Sequence, residues 1–179
     1  VFPYRLEVVY PGDKRFTIHD PYSFLPTIGE LDLHLFGEGQ HERIWEKLGS
    51  HPRTIDGVPG VAFAVWAPGA RGASVVGDFN RWDGRLHAMR SLGASGIWEI
   101  FIPDVPEGAV YKYEIRTALG PIPLKADPYA QRTEVPPANG SVVFQPRYEF
   151  HDEAWVRARN ARPLLALGAV AAVLVDELN

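Results

Sequence analysis

Residues 60–84 read GVAFAVWAPGARGASVVGDFNRWDG, and the reading of this stretch decides the fold. Phe63, Val65 and Ala67 alternate with Ala62, Ala64 and Trp66 until Pro68-Gly69 stops the run, the pattern of a half-buried strand that ends in a turn. A second strand resumes at 73–76. Gly77-Asp78-Phe79-Asn80-Arg81-Trp82-Asp83-Gly84 follows, rich in turn formers, and leaves Trp82 between two charged neighbours, company that a core tryptophan rarely keeps.

Further strands are expected at 97–102 and 109–115, with shorter ones near 122–125 and 141–144, separated by Gly- and Pro-rich turns. No connection between them is long and periodic enough for a crossover helix. The spacing therefore predicts an all-β fold, an antiparallel immunoglobulin-like sandwich over 58–146. Within 109–115, Tyr111, Tyr113 and Ile115 point to the core and Lys112 points out.

Upstream, residues 1–19 alternate through Tyr4, Leu6, Val8 and Tyr10, turn at Pro11-Gly12-Asp13 and continue through Arg15 to Ile18, which predicts a two-stranded hairpin. Residues 20–57 read as a connector with a short helix over 41–48, where Trp45 shares faces with His41 and Leu48 and Gly49 supplies a left-handed stop. Trp45 is then a helix-face anchor. Downstream, 147–179 combines a helix start at 151–159, with Asp152 as its N-cap, and an uncharged apolar run at 163–175. That run is shorter than the ~20 residues a membrane span needs, so no membrane association is expected.

A chain of 179 residues suits one domain with appendages, and 46% hydrophobic content with 12% aromatics is enough for a packed core. The absence of cysteine rules out disulfides and thiolate metal sites and fits a reducing cytoplasm. A formal charge of −4 argues against a phosphate backbone as ligand, so no nucleic acid partner is expected. Gly37-Glu38-Gly39 lacks the Lys-Ser/Thr pair of a phosphate loop. Six histidines stand singly, without the i,i+4 pair and third ligand of a metal site, and no serine sits in a nucleophile elbow. No cofactor, metal or catalytic residue is expected. Asp78, Asp83, Glu99 and Glu114 read as solvated surface charge.

FAVWAP, VVGDFNRWD, GIWEIFIP and YKYEI occur here in the order in which they occur in the glycogen-binding module of branching enzymes, isoamylases and related α-glucan proteins, and the chain resembles that family over 20–159. The stretch DPYSFLPTIGELDLHLFGEGQHERIWEKLGSHP resembles bacterial-type glycogen branching enzymes in particular. The resemblance implies a noncatalytic amino-terminal portion of an enzyme that forms α-1,6 branches in glycogen, with the hairpin as the end of a preceding β module. It also implies a (β/α)8 catalytic barrel as partner in the intact enzyme, because glycosyl transfer needs two facing carboxylates on barrel loops. The similarity stops near Arg162.

The same resemblance assigns α-1,4-glucan binding to Trp82, whose ring stacks on glucose, and to Lys112, which reaches a hydroxyl; Asn80 is a third candidate. Two departures imply weak binding. No second tryptophan follows the YKYEI strand, where 117–121 read TALGP, and the asparagine expected near the last strand is not evident beside Val142 and Val143. From the residues alone, Trp82 can instead pack on a neighbouring domain, Asn80 and Asp78 can simply shape the turn, and the whole module can position the barrel without touching glucan. Trp66 and Trp98 read as core or interdomain packing, and Lys125-Ala126-Asp127-Pro128-Tyr129-Ala130 as a loop stiffened by its proline.

Overall fold

In the computed structural model, which describes residues 4–121 and 123–160, β4 (Val58–Trp66) is the central strand of a four-stranded antiparallel sheet. Its neighbours are β3 (Gly49–Ile55) and β7 (Ile97–Pro103), with β6 (Arg90–Ser91) beyond β7. The second sheet has β8 (Val110–Thr117) in the middle, flanked by β5 (Ala70–Gly77) and by β10 (Ser141–Val142), and β8 also pairs with β9 (Gly120–Pro121). All pairings are antiparallel. The two sheets face each other as an immunoglobulin-like sandwich, as the strand spacing predicts.

The inward sides follow from the period-two alternation of each strand. Val61, Phe63 and Val65 of β4, Ile100 and Ile102 of β7, Ala73 and Val75 of β5, and Tyr111, Tyr113 and Ile115 of β8 form one buried cluster. Phe63 meets the ring of Tyr111 edge-on at 5.0 Å. Full burial of such a side chain is worth about 1.5–3 kcal/mol, so these residues carry most of the association between the sheets. Trp98 packs against this cluster, with its Nε1 donating to the Ala67 carbonyl at 3.2 Å.

The sheet centred on β4 is not half-buried, as its alternation suggests, but covered on both sides. Ala62, Ala64, Ile97 and Phe101 point away from the sandwich core and are buried beneath residues 20–48. Phe24 meets Phe101 edge-on at 4.7 Å, while Ile28 and Leu48 pack with Ala64 and Ile97. The continuous apolar run 61–65 is the signature of a strand buried on both faces. The connector is therefore a cover, and the sandwich begins at Gly49, nine residues before the expected boundary at 58, because β3 pairs with β4 from Gly49↔Ala64 to Ile55↔Val58.

The helix expected over 41–48 is corrected as well. The helix lies upstream, as α1 (Glu30–Gly37), and 44–46 makes only a 3-10 turn. Leu33 and Phe36, one turn apart on α1, pack on the Ile28–Leu48 cluster, and Asp32 ties the end of the cover back to α1 through His41 Nε2 at 3.0 Å and Lys47 Nζ at 2.9 Å. Gly49 does not stop a helix. Its φ of +104° carries the chain past the Tyr129 carbonyl, 3.0 Å from where a Cβ would lie, and into β3. Trp45 is exposed rather than an anchor.

The expected hairpin forms from β1 (Leu6–Tyr10) and β2 (Lys14–Ile18). Residues 146–160 form a separate unit in which the expected helix appears as α2 (Glu153–Asn160), with Val156 N donating a hydrogen bond to the Asp152 carbonyl at 2.9 Å. Ile122 and the apolar run 163–175 lie outside the described residues, and Lys125 meets Tyr113 in an isolated bridge.

Candidate functional site

β5 ends at Gly77, where a Cβ would come within 2.4 Å of the Val110 carbonyl oxygen, so only glycine lets the chain leave the sheet here. A single 3-10 turn, Asp78–Asn80, follows, and the Trp82 amide returns to the Gly77 carbonyl at 3.0 Å. Arg81 and Trp82 both sit in the left-handed region, with φ of 55° and 60°. Each such residue costs roughly 1–2 kcal/mol, and the surrounding bonds must hold them there.

Asn80 supplies those bonds. It is 3% exposed; its Oδ1 accepts from Gly77 N at 2.9 Å, and its Nδ2 donates to the Val75 carbonyl at 2.8 Å and lies 3.0 Å from His87 Nδ1. With almost no exposed surface and its amide bonded on both sides, Asn80 shapes the loop and has no free polar atom for a sugar hydroxyl. His87 must keep Nδ1 unprotonated to accept that bond, and burial lowers its pKa.

Trp82 is 37% exposed, and its indole Nε1 donates to Asp78 Oδ1 at 3.0 Å. Asp78 Oδ1 thus holds the edge of a ring that remains partly open to solvent. Asp83 closes the same loop by accepting from the Arg85 amide and guanidinium, whose bonds hold its carboxyl down to about 2.

On the outward side of β8, Lys112 pairs in register with Val76, one step from the Gly77↔Tyr111 pair that anchors Trp82. Trp82 and Lys112 therefore lie at the same end of one sheet. Lys112 Nζ donates to the side-chain oxygen of Asn139, an exposed residue just before β10. The loop carrying Asn139 is closed at its base by Glu134, whose carboxylate accepts from Gly140 N at 2.8 Å and whose amide donates to the Gly140 carbonyl at 2.9 Å. An asparagine thus stands beside Lys112 where none is evident within the strand. Its signal is the Asn-Gly turn pair ahead of Ser141-Val142-Val143, not a position within the strand.

Beneath β8 lies a buried polar group of a different kind. Asp127 Oδ2 accepts from Tyr111 at 2.6 Å and Tyr113 at 3.2 Å, its Oδ1 accepts from Tyr129 N at 2.8 Å, and its amide donates to Ser141 Oγ at 2.8 Å. Burial raises the pKa of Asp127 and of both tyrosines. The 125–130 stretch is stiffened by this buried carboxylate more than by its proline.

Glu99 likewise departs from the expected solvated charge. It is 1% exposed, accepts from Thr27 N at 2.6 Å and Thr27 Oγ1 at 2.7 Å, and so binds the cover to β7, while its Oε2 has no protein partner. Glu114 holds Arg116 at 2.9 Å. Each of the four carboxylates is thus engaged locally, and no group of three metal-ligating side chains occurs among the described residues. No helix among them is long and apolar enough to cross a membrane.

Residues 47–130 match the family model for carbohydrate-binding module 48, the isoamylase N-terminal domain. The chain is similar to a 1,4-alpha-glucan branching enzyme of Myxococcus xanthus (strain DK1622), at 61% identity over 163 residues that make up 90% of this chain and 22% of that one. It is also similar to the branching enzymes of Kitasatospora aureofaciens, at 56% identity over 88% of this chain and 20% of that one, and Streptomyces coelicolor (strain ATCC BAA-471 / A3(2) / M145), at 54% over 89% and 20%. The chain spans about a fifth of the length of these relatives.

Proposed function

Because the chain belongs to the amino-terminal region of the 1,4-alpha-glucan branching enzyme family and holds a carbohydrate-binding module 48 at its centre, we propose that its open sheet face binds linear α-1,4-glucan. One observation carries this reading: a partly open, edge-anchored indole and a Lys112–Asn139 pair stand at the same end of one sheet. The indole offers a flat apolar surface to the C–H face of glucose, and Lys112 and Asn139 offer polar groups to its hydroxyls.

One ring and two polar side chains make a weak site, suited to holding a polymer at many equivalent places rather than gripping one chain end. In a longer parent chain the bound glucan would be kept near a (β/α)8 barrel that cuts an α-1,4 chain and rejoins it by an α-1,6 link. A cysteine-free composition supports work in a reducing cytoplasm.

Titration of ¹⁵N-labelled protein with maltoheptaose tests the proposal. Saturable shifts are expected in residues 77–83, at Lys112 and at Asn139. Their absence, or shifts confined to the opposite sheet, overturns it.

A further inference from the structure

We propose that Asp78 is a positioning residue for glucan recognition, holding the Trp82 indole by its N–H so that this tryptophan reads sugar through its ring face alone. The inference rests on the glucan-binding reading above and deepens it. The starting point is a side chain that has been given a fixed direction at some expense.

Trp82 stands on a left-handed residue that follows another left-handed residue, and neither is glycine. Its backbone is tethered by the bond to Gly77, and the turn beneath it by buried Asn80. Those bonds place the Cα but leave the two side-chain torsions free. A tryptophan on an exposed loop would sample several rotamers, and a ligand stacking on it would have to freeze them.

The Asp78 carboxylate removes that freedom. Its Oδ1 lies 3.0 Å from Trp82 Nε1, a charge-assisted bond from a residue seated in the turn itself. An indole nitrogen is a donor with a single proton, so once bound to Asp78 it has nothing left for a hydroxyl. Trp82 becomes a platform without a polar edge. Discrimination among hydroxyl positions then falls to Lys112 and Asn139, and the ring selects only for a flat C–H face.

The test uses the ¹⁵N-labelled full chain with Asp78→Ala and Asp78→Asn, reading the Trp82 indole N–H resonance, the maltoheptaose titration and the thermal midpoint. Asp78→Ala should move the indole resonance without sugar present, weaken binding about five- to tenfold, and leave the midpoint in place. Asp78→Asn, whose amide oxygen still accepts, should restore most of the affinity and return the resonance towards its original position. An unmoved resonance in Asp78→Ala, or unchanged affinity with a moved resonance, overturns the role. So does an Asp78→Asn protein as weak as Asp78→Ala, which would make the carboxylate itself a sugar contact. A wild-type chain without saturable shifts overturns the glucan reading and this role together, whereas wild-type binding that Asp78→Ala leaves intact overturns this role alone.

Discussion

The two sheets of the sandwich share one core, yet their outward faces are finished in opposite ways. On β4 and β7 the outward residues Ala62, Ala64, Ile97, Glu99 and Phe101 are buried under residues 20–48, and only Trp66, at the end of β4, stays half exposed there. On β8 they are Lys112, Glu114 and Arg116, half-buried or exposed, and only the β5 side is closed, where residues 87–89 pair along its free edge and Gly84 comes up against the Glu114 carboxylate. A second face made of small and aromatic residues attracts a cover from the same chain, and one made of charged residues keeps it away. The open face is therefore the one available to a polar, hydroxyl-rich ligand.

Phe101→Ala strikes the covered face hardest. A buried ring packed edge-on against Phe24 should cost about 3–5 kcal/mol of stability in chemical denaturation. A cost below about 1 kcal/mol would mean that the cover contributes little and the two faces differ only in appearance.

On the open side the largest effect should come from Asn80→Ala. It strands the Gly77 N–H and the Val75 carbonyl in a buried turn and should cost about 2 kcal/mol, with glucan binding lost as the Trp82 loop relaxes. Retained binding in a destabilised protein would separate the loop from the site.

Trp66→Ala should be milder, near 1 kcal/mol. Its place within a strand run suggests a packed residue, but Trp66 is 53% exposed, held by an edge contact with Phe36 at 5.9 Å and a bond from its Nε1 to the Ser95 carbonyl at 3.2 Å. Trp82→Ala should change stability by less than about 0.5 kcal/mol while abolishing maltoheptaose shifts, and Lys112→Ala should weaken binding by about 1 kcal/mol. Equal stability losses at Trp66 and Trp82 would erase the contrast between the faces.

Acid is the gentlest probe. Burial lowers the pKa of His87, under the Trp82 loop, and of His51, on β3. A lowered folded-state value means that the neutral ring contributes stability above the ordinary histidine range, and that this contribution is lost as pH falls through the lowered value. Amide resonances of 77–83 should shift first if protonation of His87 removes the acceptor that Asn80 uses. If the first shifts lie on β3 instead, His51 governs the acid response and the covered sheet is the more sensitive one.

Much of the sandwich is legible in the sequence because β5, β7 and β8 each alternate cleanly or carry dense β-formers between turn signals. Lys112 opposite Tyr111 and Tyr113 is a case where period two alone assigns the side. The cover is harder to read. Phe24, Ile28 and Leu48 are spaced irregularly, with no period to betray which surface they meet, and their partners Ala62 and Phe101 are 38 or more residues away from Phe24. The helix fails for a related reason: the periodicity around Trp45 is real, but Leu48 is drawn down onto the sheet and Gly49 into it, which ends the turn early. Trp82 is legible from its charged neighbours, whereas Asn80 and Asn139 look alike. Both are turn asparagines in sequence, and only the bonds each makes show that one is buried scaffold and the other exposed beside Lys112.

The cover also separates what can be recognised from what can stand alone. The match to the module's family model starts at residue 47, but a polypeptide begun there would lose Phe24, Ile28 and α1, leaving Ala62, Ile97 and Phe101 wet and Glu99 without its threonine. Such a fragment would carry a sheet face sticky enough to associate with itself. A piece that keeps both sides of this sheet covered therefore begins near residue 20, so the module's cover belongs to a segment lying outside the stretch that its family model matches.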